Sequence, residues 1–230
     1  MKKNVIMRAA CVVLVLTILS TCVISGTFAK YVTEAPAVDD NARVAKWGVT
    51  ATVAADDLFK SAYKNTPVAY NASETGTDVT VWAKVEADLV APGTNNAQDN
   101  AIAITGTPEV DVSVDYTATV ALTGWTINTD EFYCPLVFTV NGTEIKQDGT
   151  NDTADKLADA LEAAITGLSA DYDANTDLAA QANNTVDISW AWDFDAAGAG
   201  TNDAKDTALG NLAVAPTVSI TYGAKVTQID

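Results

Sequence analysis

A strict alternation of apolar and polar residues runs through residues 110–122, where every even-numbered position is apolar. The odd positions between them carry Asp, Ser or Thr, with one Ala. Successive side chains of a β-strand point to opposite faces, whereas a helical period of 3.6 would scatter these apolar residues around the axis. The pattern therefore predicts a long strand with one face toward a core and the other toward water.

Four further segments alternate in the same way: 47–53, 79–89, 186–194 and 218–226. Strands with one solvated face are typical of antiparallel sheets. Several of them in one chain predict two sheets packed face to face. The predicted fold class is therefore mainly β, an antiparallel β-sandwich of jelly-roll-like type with one inserted amphipathic α-helix.

The inserted helix is predicted near residues 152–167, where the period changes. Apolar residues there recur at helical spacing: Ala154, Leu157, Ala158, Leu161, Ala164, Ile165 and Leu168. Thr153 is a suitable N-cap, Asp155 lies in the first turn, and Gly167 falls where the helix would end. We expect the apolar face to pack on the sheets, and a partner-binding helix is the alternative.

Three polar stretches between these elements predict irregular structure. Residues 90–100 and 196–206 are rich in Gly, Ala and Asn and are predicted to be mobile loops. Residues 169–184 are predicted to be a loop with one short turn that leads back to the next strand.

The N-terminus has the three parts of a secretory signal peptide. Basic residues are followed by an apolar stretch at 9–24 and then by Thr27-Phe28-Ala29. As a helix the apolar stretch would span about 24 Å, which is short of a ~30 Å hydrocarbon core. We predict a signal peptide over 1–29, cleavage between Ala29 and Lys30 and a secreted mature chain without a stable membrane anchor. The alternatives are an uncleaved anchor and lipidation at Cys22.

Two short runs carry a family resemblance. Residues 26–31 read Gly-Thr-Phe-Ala-Lys-Tyr, and residues 42–49 read Ala-Arg-Val-Ala-Lys-Trp-Gly-Val after a polar segment. Together they resemble the start of the TasA/camelysin family. The resemblance implies a secreted β-sandwich protein of Gram-positive bacteria, a signal peptide removed by a SipW-type signal peptidase, and a fibre subunit of biofilm matrix. It also implies assembly with itself or with related matrix subunits by donor-strand exchange.

The segment 30–43 is the predicted assembly arm, and 44–230 is the predicted single domain. Residues 31–43 of this arm, thirteen in number, reach about 43 Å when they are extended. The apolar residues of the arm are expected to fill a neighbour's core while its backbone joins an open sheet edge: Tyr31, Val32, Ala35 and Val38. Pro36 limits the continuity of such a ladder. The alternative is a disordered tail.

Charge and composition argue against several classes of function. The mature chain has 13 − 3 = 10 Lys+Arg against 30 Asp+Glu, a net charge near −20. Such a surface repels nucleic acid and anionic lipid. The chain contains no histidine, which excludes Ser-His-Asp and Cys-His triads and zinc sites built on His. We therefore predict that it is not an enzyme, and a hydrolase with paired carboxylates is the weakest alternative.

Calcium is the only cofactor that the sequence suggests. Asp193, Asp195 and Gly198 occupy positions 1, 3 and 6 of a calcium loop, but positions 5 and 12 are both Ala. Asp203 is a further candidate ligand in another geometry, or the start of a short helix over 204–209. We predict no cofactor, with this weak calcium site as the alternative.

Aromatic residues and cysteine give the remaining candidates. Trp47, Trp190 and Trp192 lie on apolar strand faces and are predicted core residues. Trp82 and Trp125 are predicted to be exposed, and they suggest the alternative function of a monomeric surface adhesin or glycan-binding module.

Cys134 is the one cysteine of the predicted mature chain. It lies in an apolar run and is predicted to be a buried hydrophobe, with a reactive thiol as the alternative.

Overall fold

A computed structural model describes residues 32–34, 47–55, 57–65, 79–83, 88–192 and 202–229. The predicted signal peptide and its cleavage site at Ala29 and Lys30 lie outside the described residues. Of the predicted arm, only 32–34 are described. The predictions for these segments therefore remain predictions.

The described residues form thirteen strands, two α-helices and one 3₁₀ turn. The strands are β1 Val32–Glu34, β2 Val49–Val53, β3 Ala62–Asn65, β4 Val79–Trp82, β5 Asn95–Gly106, β6 Val112–Thr123, β7 Thr126–Ile127, β8 Glu131–Phe132, β9 Leu136–Val140, β10 Thr143–Lys146, β11 Ala170–Tyr172, β12 Thr185–Trp192 and β13 Thr217–Gln228. The helices are α1 Ala154–Thr166 and α2 Asp203–Gly210, and the 3₁₀ turn is Leu178–Ala180.

The strands form two larger sheets and two small hairpins. One sheet has the order β1-β13-β6-β11, and the other has the order β10-β9-β12-β5-β2. β3 pairs with β4, and β7 pairs with β8. All of these pairings are antiparallel. The prediction of a mainly β chain with antiparallel sheets is confirmed.

The longest ladder joins β6 to β13, from Val112 opposite Gln228 to Thr123 opposite Thr217. The alternation predicted for this part of the chain is confirmed, because every buried residue of β6 is at an even position. These residues are Val112, Val114, Tyr116 and Val120. The same holds in β12, whose buried residues are Val186, Ile188, Trp190 and Trp192. The sequence pattern thus correctly identified the inward face of both strands.

Buried side chains of the two larger sheets belong to one hydrophobic cluster. Val114 and Val226 come from the first sheet, and Ile102 and Phe138 come from the second. The Nε1–H of Trp190 donates to the carbonyl oxygen of Leu58 at 2.9 Å, so even the polar atom of this buried indole has a partner.

Helix α1 confirms the predicted helical insertion. The Oγ1 of Thr153 accepts a hydrogen bond from the backbone N–H of Lys156, and Gly167 is the C-cap residue. The buried face consists of Leu157, Ala158, Leu161 and Ile165. It packs mainly against β6, so this helix covers the sheet and is not an unpartnered amphipathic surface.

The predicted loop over 90–100 is confirmed for 90–94 and wrong for 95–100, because β5 begins at Asn95. Tertiary hydrogen bonds explain how such polar residues enter a strand. The Nδ2 of Asn96 donates to the carbonyl oxygens of Asp57 at 3.2 Å and Leu58 at 2.9 Å. Gln98 is buried. The residues just before β5 are also hydrogen-bonded to the sheet, because the backbone N–H of Gly93 donates to the carbonyl oxygen of Trp192 in β12 at 2.7 Å.

Three other boundaries differ from the prediction. The strand predicted over 79–89 ends at Trp82. The predicted loop over 169–184 contains β11 as well as the expected short turn. Residues 203–206 of the predicted 196–206 loop belong to α2, which confirms the short helix that was the alternative there; residues 196–201 lie outside the described residues.

Candidate assembly edge

The N-terminal segment meets the rest of the chain at β13. Val32 lies opposite Thr227, Thr33 opposite Val226 and Glu34 opposite Lys225. Val226 is completely buried. Of the four apolar residues predicted for the arm, Val32 lies in this strand; Tyr31, Ala35 and Val38 lie outside the described residues. The outer edge of β13 therefore accepts arm backbone in an antiparallel register.

Over most of that edge no described strand is hydrogen-bonded to β13, although β2 of the other sheet lies near β13. β6 pairs with β13 along its whole length on one side. On the other side β1 pairs only with residues 225–227. No described strand pairs with the outer edge of β13 over residues 217–224. An edge of this kind presents backbone N–H and C=O groups that can pair with another strand.

The apolar face of the same stretch is incompletely covered. Ala224 and Val226, at the end next to β1, are 6% and 0% exposed. Val218, Ile220 and Tyr222 are only half-buried, although they continue the same face of β13. The apolar face of β13 is therefore less covered over 218–222 than at 224–226, and an added strand would bury more apolar surface there.

Tyr222 ties this edge to the second sheet. Its hydroxyl donates a hydrogen bond to the Oε1 of the buried Gln98 in β5. Burial raises the pKa of Tyr222, and the nearby Asp57 carboxylate adds to the rise. The alternation in the sequence had placed Tyr222 on the apolar face. Its polar partner lies 124 residues earlier in the chain, so the pairing was not visible in the local pattern.

A second polar group lies beside the other sheet, in an open groove of about 440 Å³ lined by residues that include Tyr133 and Lys205. The hydroxyl of Tyr133 donates to the Oδ1 of Asp206 at 2.6 Å. Lys205 forms an ion pair with Glu131 at 2.7 Å and lies 5.4 Å from the centre of the Tyr133 ring. Burial raises the pKa of Tyr133 and of Asp206. The sequence analysis missed this group, whose residues bind one another.

The weak calcium candidate of the sequence analysis lies mostly outside the described residues. Asp193 and Asp195 lie outside the described residues, and Asp203 is an exposed residue in the first turn of α2. In the part of the chain that the structure describes, no three His, Cys, Asp or Glu residues are placed to hold a metal ion.

The tryptophans separate into core and surface. Trp47, Trp190 and Trp192 are buried as predicted, and Trp82 is 76% exposed as predicted. The prediction that Trp125 is exposed is wrong, because it is 2% exposed. Its Nε1–H donates to the carbonyl oxygen of Thr217 at 2.8 Å, at the start of β13. Trp82 is thus the one aromatic candidate for glycan stacking that remains from the sequence analysis.

Cys134 is buried, as predicted. Burial raises the pKa of its thiol to about 12. Its backbone N–H donates to the Oε1 of Gln147 at 2.7 Å. The thiol therefore lacks both the exposure and the thiolate character that a reactive cysteine requires.

The described residues include no helix with the length and hydropathy needed to cross a membrane. Comparisons of the chain with protein-family models, with curated proteins and with solved structures gave no match.

Proposed function

We propose that this protein is a secreted structural subunit of extracellular fibres or biofilm matrix, and that it assembles by donating its N-terminal arm to another copy or to a related subunit. One observation carries the proposal. The arm segment 32–34 already pairs with β13, next to a stretch of the same edge that has no described strand partner. In a chain with a long arm, the same pairing between two copies would link them.

The fold that we propose is a jelly-roll-like β-sandwich of the TasA/camelysin type. The common hydrophobic cluster of the two larger sheets supports face-to-face packing. The family assignment is supported by the two sequence runs at 26–31 and 42–49. A SipW-type signal peptidase would then release the arm only after export, which would confine assembly to the outside of the cell.

Strand addition suits this edge on physical grounds. Backbone hydrogen bonds of an added strand give affinity, and its alternate side chains give specificity. Here the half-buried Val218 and Ile220 supply the apolar surface. Burial of these side chains contributes about 25 cal/mol of binding free energy per Å² of apolar surface, in addition to the contribution of the backbone hydrogen bonds. We propose no catalytic activity and no cofactor for the subunit.

The arm can be tested by deletion. The mature chain (30–230) should form fibres by electron microscopy and large particles by light scattering, whereas the chain without 30–43 should fold but remain monomeric. A mature chain whose arm carries the same residues in scrambled order is the matched control for length and charge, and it should also remain monomeric. Assembly of the deletion variant as efficient as that of the mature chain would refute the proposal.

A second candidate function, a monomeric surface adhesin that binds glycans, is favoured by one observation, the 76% exposure of Trp82. An exposed indole is a suitable surface for stacking on a sugar ring. This function predicts that the mature chain binds a polysaccharide and that Trp82→Ala abolishes the binding. Equal retention of Trp82→Ala and the unaltered chain on the polysaccharide would refute it.

A further inference from the structure

The sequence contains one Asn-Gly dipeptide, Asn141-Gly142, which forms the turn between β9 and β10. Val140 and Thr143 are Cα partners across this hairpin, so only these two residues make the connection. The φ angles of Asn141 and Gly142 are +45° and +81°. Positive φ at both central residues is the mark of a type I′ turn, which Asn-Gly favours. Both residues are exposed, so water reaches the turn.

An asparagine that precedes a glycine is chemically prone to lose its side-chain amide. The backbone nitrogen of the glycine attacks Cγ of the asparagine, the Cγ–Nδ2 bond breaks, and ammonia leaves with the proton of the glycine N–H. Glycine permits this attack because it has no side chain to hinder it. Water then opens the resulting five-membered succinimide at either carbonyl and gives aspartate or isoaspartate. The net reaction is hydrolysis of the amide, with water as the co-reactant.

Three hydrogen bonds hold Asn141 against β12. Its backbone N–H donates to the carbonyl oxygen of Asp187 at 3.0 Å. Its Oδ1 accepts from the N–H of Asp187 at 2.7 Å, and its Nδ2 donates to the carbonyl oxygen of Thr185 at 3.0 Å. Asp187 lies where the register of β12 with β5 shifts, between Val186 and Ile188. The carboxamide thus bonds with both of its polar atoms to the backbone of β12 at this irregularity.

The turn keeps the glycine nitrogen away from the carboxamide. The succinimide ring closes only when the nitrogen of Gly142 lies on the same side of the Cα–C bond of Asn141 as Cβ does. In an ideal type I′ turn, ψ of the first central residue is about +30°, which places that nitrogen nearly opposite Cβ. The attack therefore requires a rotation about ψ of Asn141 to bring the reacting atoms together. The three hydrogen bonds to β12 oppose this rotation.

Hydrolysis of the amide would also undo the contact with β12. The Nδ2 of Asn141 is the donor to the carbonyl oxygen of Thr185, and a carboxylate oxygen in its place cannot donate. Two acceptor oxygens would then face each other, and one of them would carry negative charge. Isoaspartate would in addition lengthen the backbone of the turn by one carbon, which a two-residue type I′ turn does not accommodate.

We propose that Asn141 is a conformationally gated modification site. The fold protects its amide while the turn is bonded to β12. Once the turn opens, hydrolysis of the amide releases the β9–β10 hairpin from β12 at this end. The modification therefore marks chains whose turn has opened. This inference does not depend on the proposed function.

The first experiment compares the rate of amide loss in the folded and the unfolded protein. The protein is incubated at mildly alkaline pH with and without a denaturing concentration of guanidinium chloride. Mass spectrometry of the peptide that contains Asn141 resolves the amide from the acid. Each hydrogen bond shifts the opening equilibrium about fivefold, so three bonds should slow the reaction in the folded protein about a hundredfold. Equal rates in the two samples would overturn the gating.

The second experiment measures the consequence in a variant that carries the product. Asn141→Asp loses a donor and brings two acceptors together, so its urea midpoint of unfolding should fall by about 0.5–1 M. Asn175→Asp is the matched control. Asn175 is also exposed with a positive φ of +63°, and its side chain forms no hydrogen bond within the described residues. The same change there should leave the midpoint almost unaltered.

Equal midpoints for the two variants would overturn the release of the hairpin. Should Asn141→Asp fail to fold while Asn175→Asp folds, the release is supported, because the same change in charge is tolerated elsewhere. The gating is then decided by the rates of amide loss, which are measured on the unaltered chain.

Discussion

The substitution Trp125→Phe tests whether this tryptophan belongs to the core or to a binding surface. Trp125 is 2% exposed, and its ring centre lies 6.3 Å from that of Trp192. The smaller ring loses the hydrogen bond to the carbonyl oxygen of Thr217, a loss of about 1 kcal/mol. The gap that it leaves in the core destabilises by a further ~1–2 kcal/mol. We expect the free energy of unfolding to fall by about 2–3 kcal/mol in total.

The measurement is urea unfolding followed by far-UV circular dichroism, because fluorescence would change with the loss of an indole. With a slope of about 2 kcal/mol per molar urea, the midpoint should fall by about 1–1.5 M. Trp82→Phe is the matched control, since the same change at a 76% exposed site should stay within about 0.5 kcal/mol. Equal midpoints for the two variants would refute the assignment of Trp125 to the core.

Three further predictions concern other sites. Cys134 should not react with a bulky thiol reagent in the native protein and should react after unfolding, because it is buried with a pKa of about 12; rapid native labelling would contradict its place in the core. Burial raises the pKa of Asp206 above the usual 3.8, so the folded state binds more protons there and stability falls as pH rises from 3.8 through the raised pKa. Asp206→Asn keeps an oxygen acceptor for Tyr133 and should flatten that fall in urea unfolding at a series of pH values; an unchanged slope would refute the effect. Thr153→Ala removes the N-cap acceptor of the Lys156 N–H and should lower stability by about 1 kcal/mol, which thermal unfolding can measure against the unaltered chain.

Local pattern was sufficient for most elements with one apolar face, although the strand predicted over 79–89 ends at Trp82. β6, β12 and α1 were predicted because the period of their apolar residues matches their secondary structure. β5 was missed because its first residues are polar, and they enter the sheet through bonds such as that from Asn96 to Leu58, 38 residues away. A window of neighbouring residues contains no sign of such a partner.

The candidate edge was only partly visible in the sequence. The alternation over 218–226 predicted β13 and its apolar face, but the neighbours of a strand in a sheet depend on the tertiary fold. Trp125 shows the same limit. It follows Gly124, whose φ of +79° turns the chain at the end of β6. This turn lets the indole reach Thr217, 92 residues later, so its position after a strand did not indicate exposure.

The position of β13 between β1 and β6 also has a consequence for the order of events during synthesis. β13 follows every other described element in the chain, and both of its neighbours in the sheet precede it by many residues. Contacts between segments so far apart form slowly, because a long loop must close first. The arm segment is thus made early, and β13, the edge that we propose receives it, is made late. Under the proposed function, a nascent chain would carry a donor without an acceptor, and the ability to join other copies would arise only once β13 had been synthesised and paired with β6.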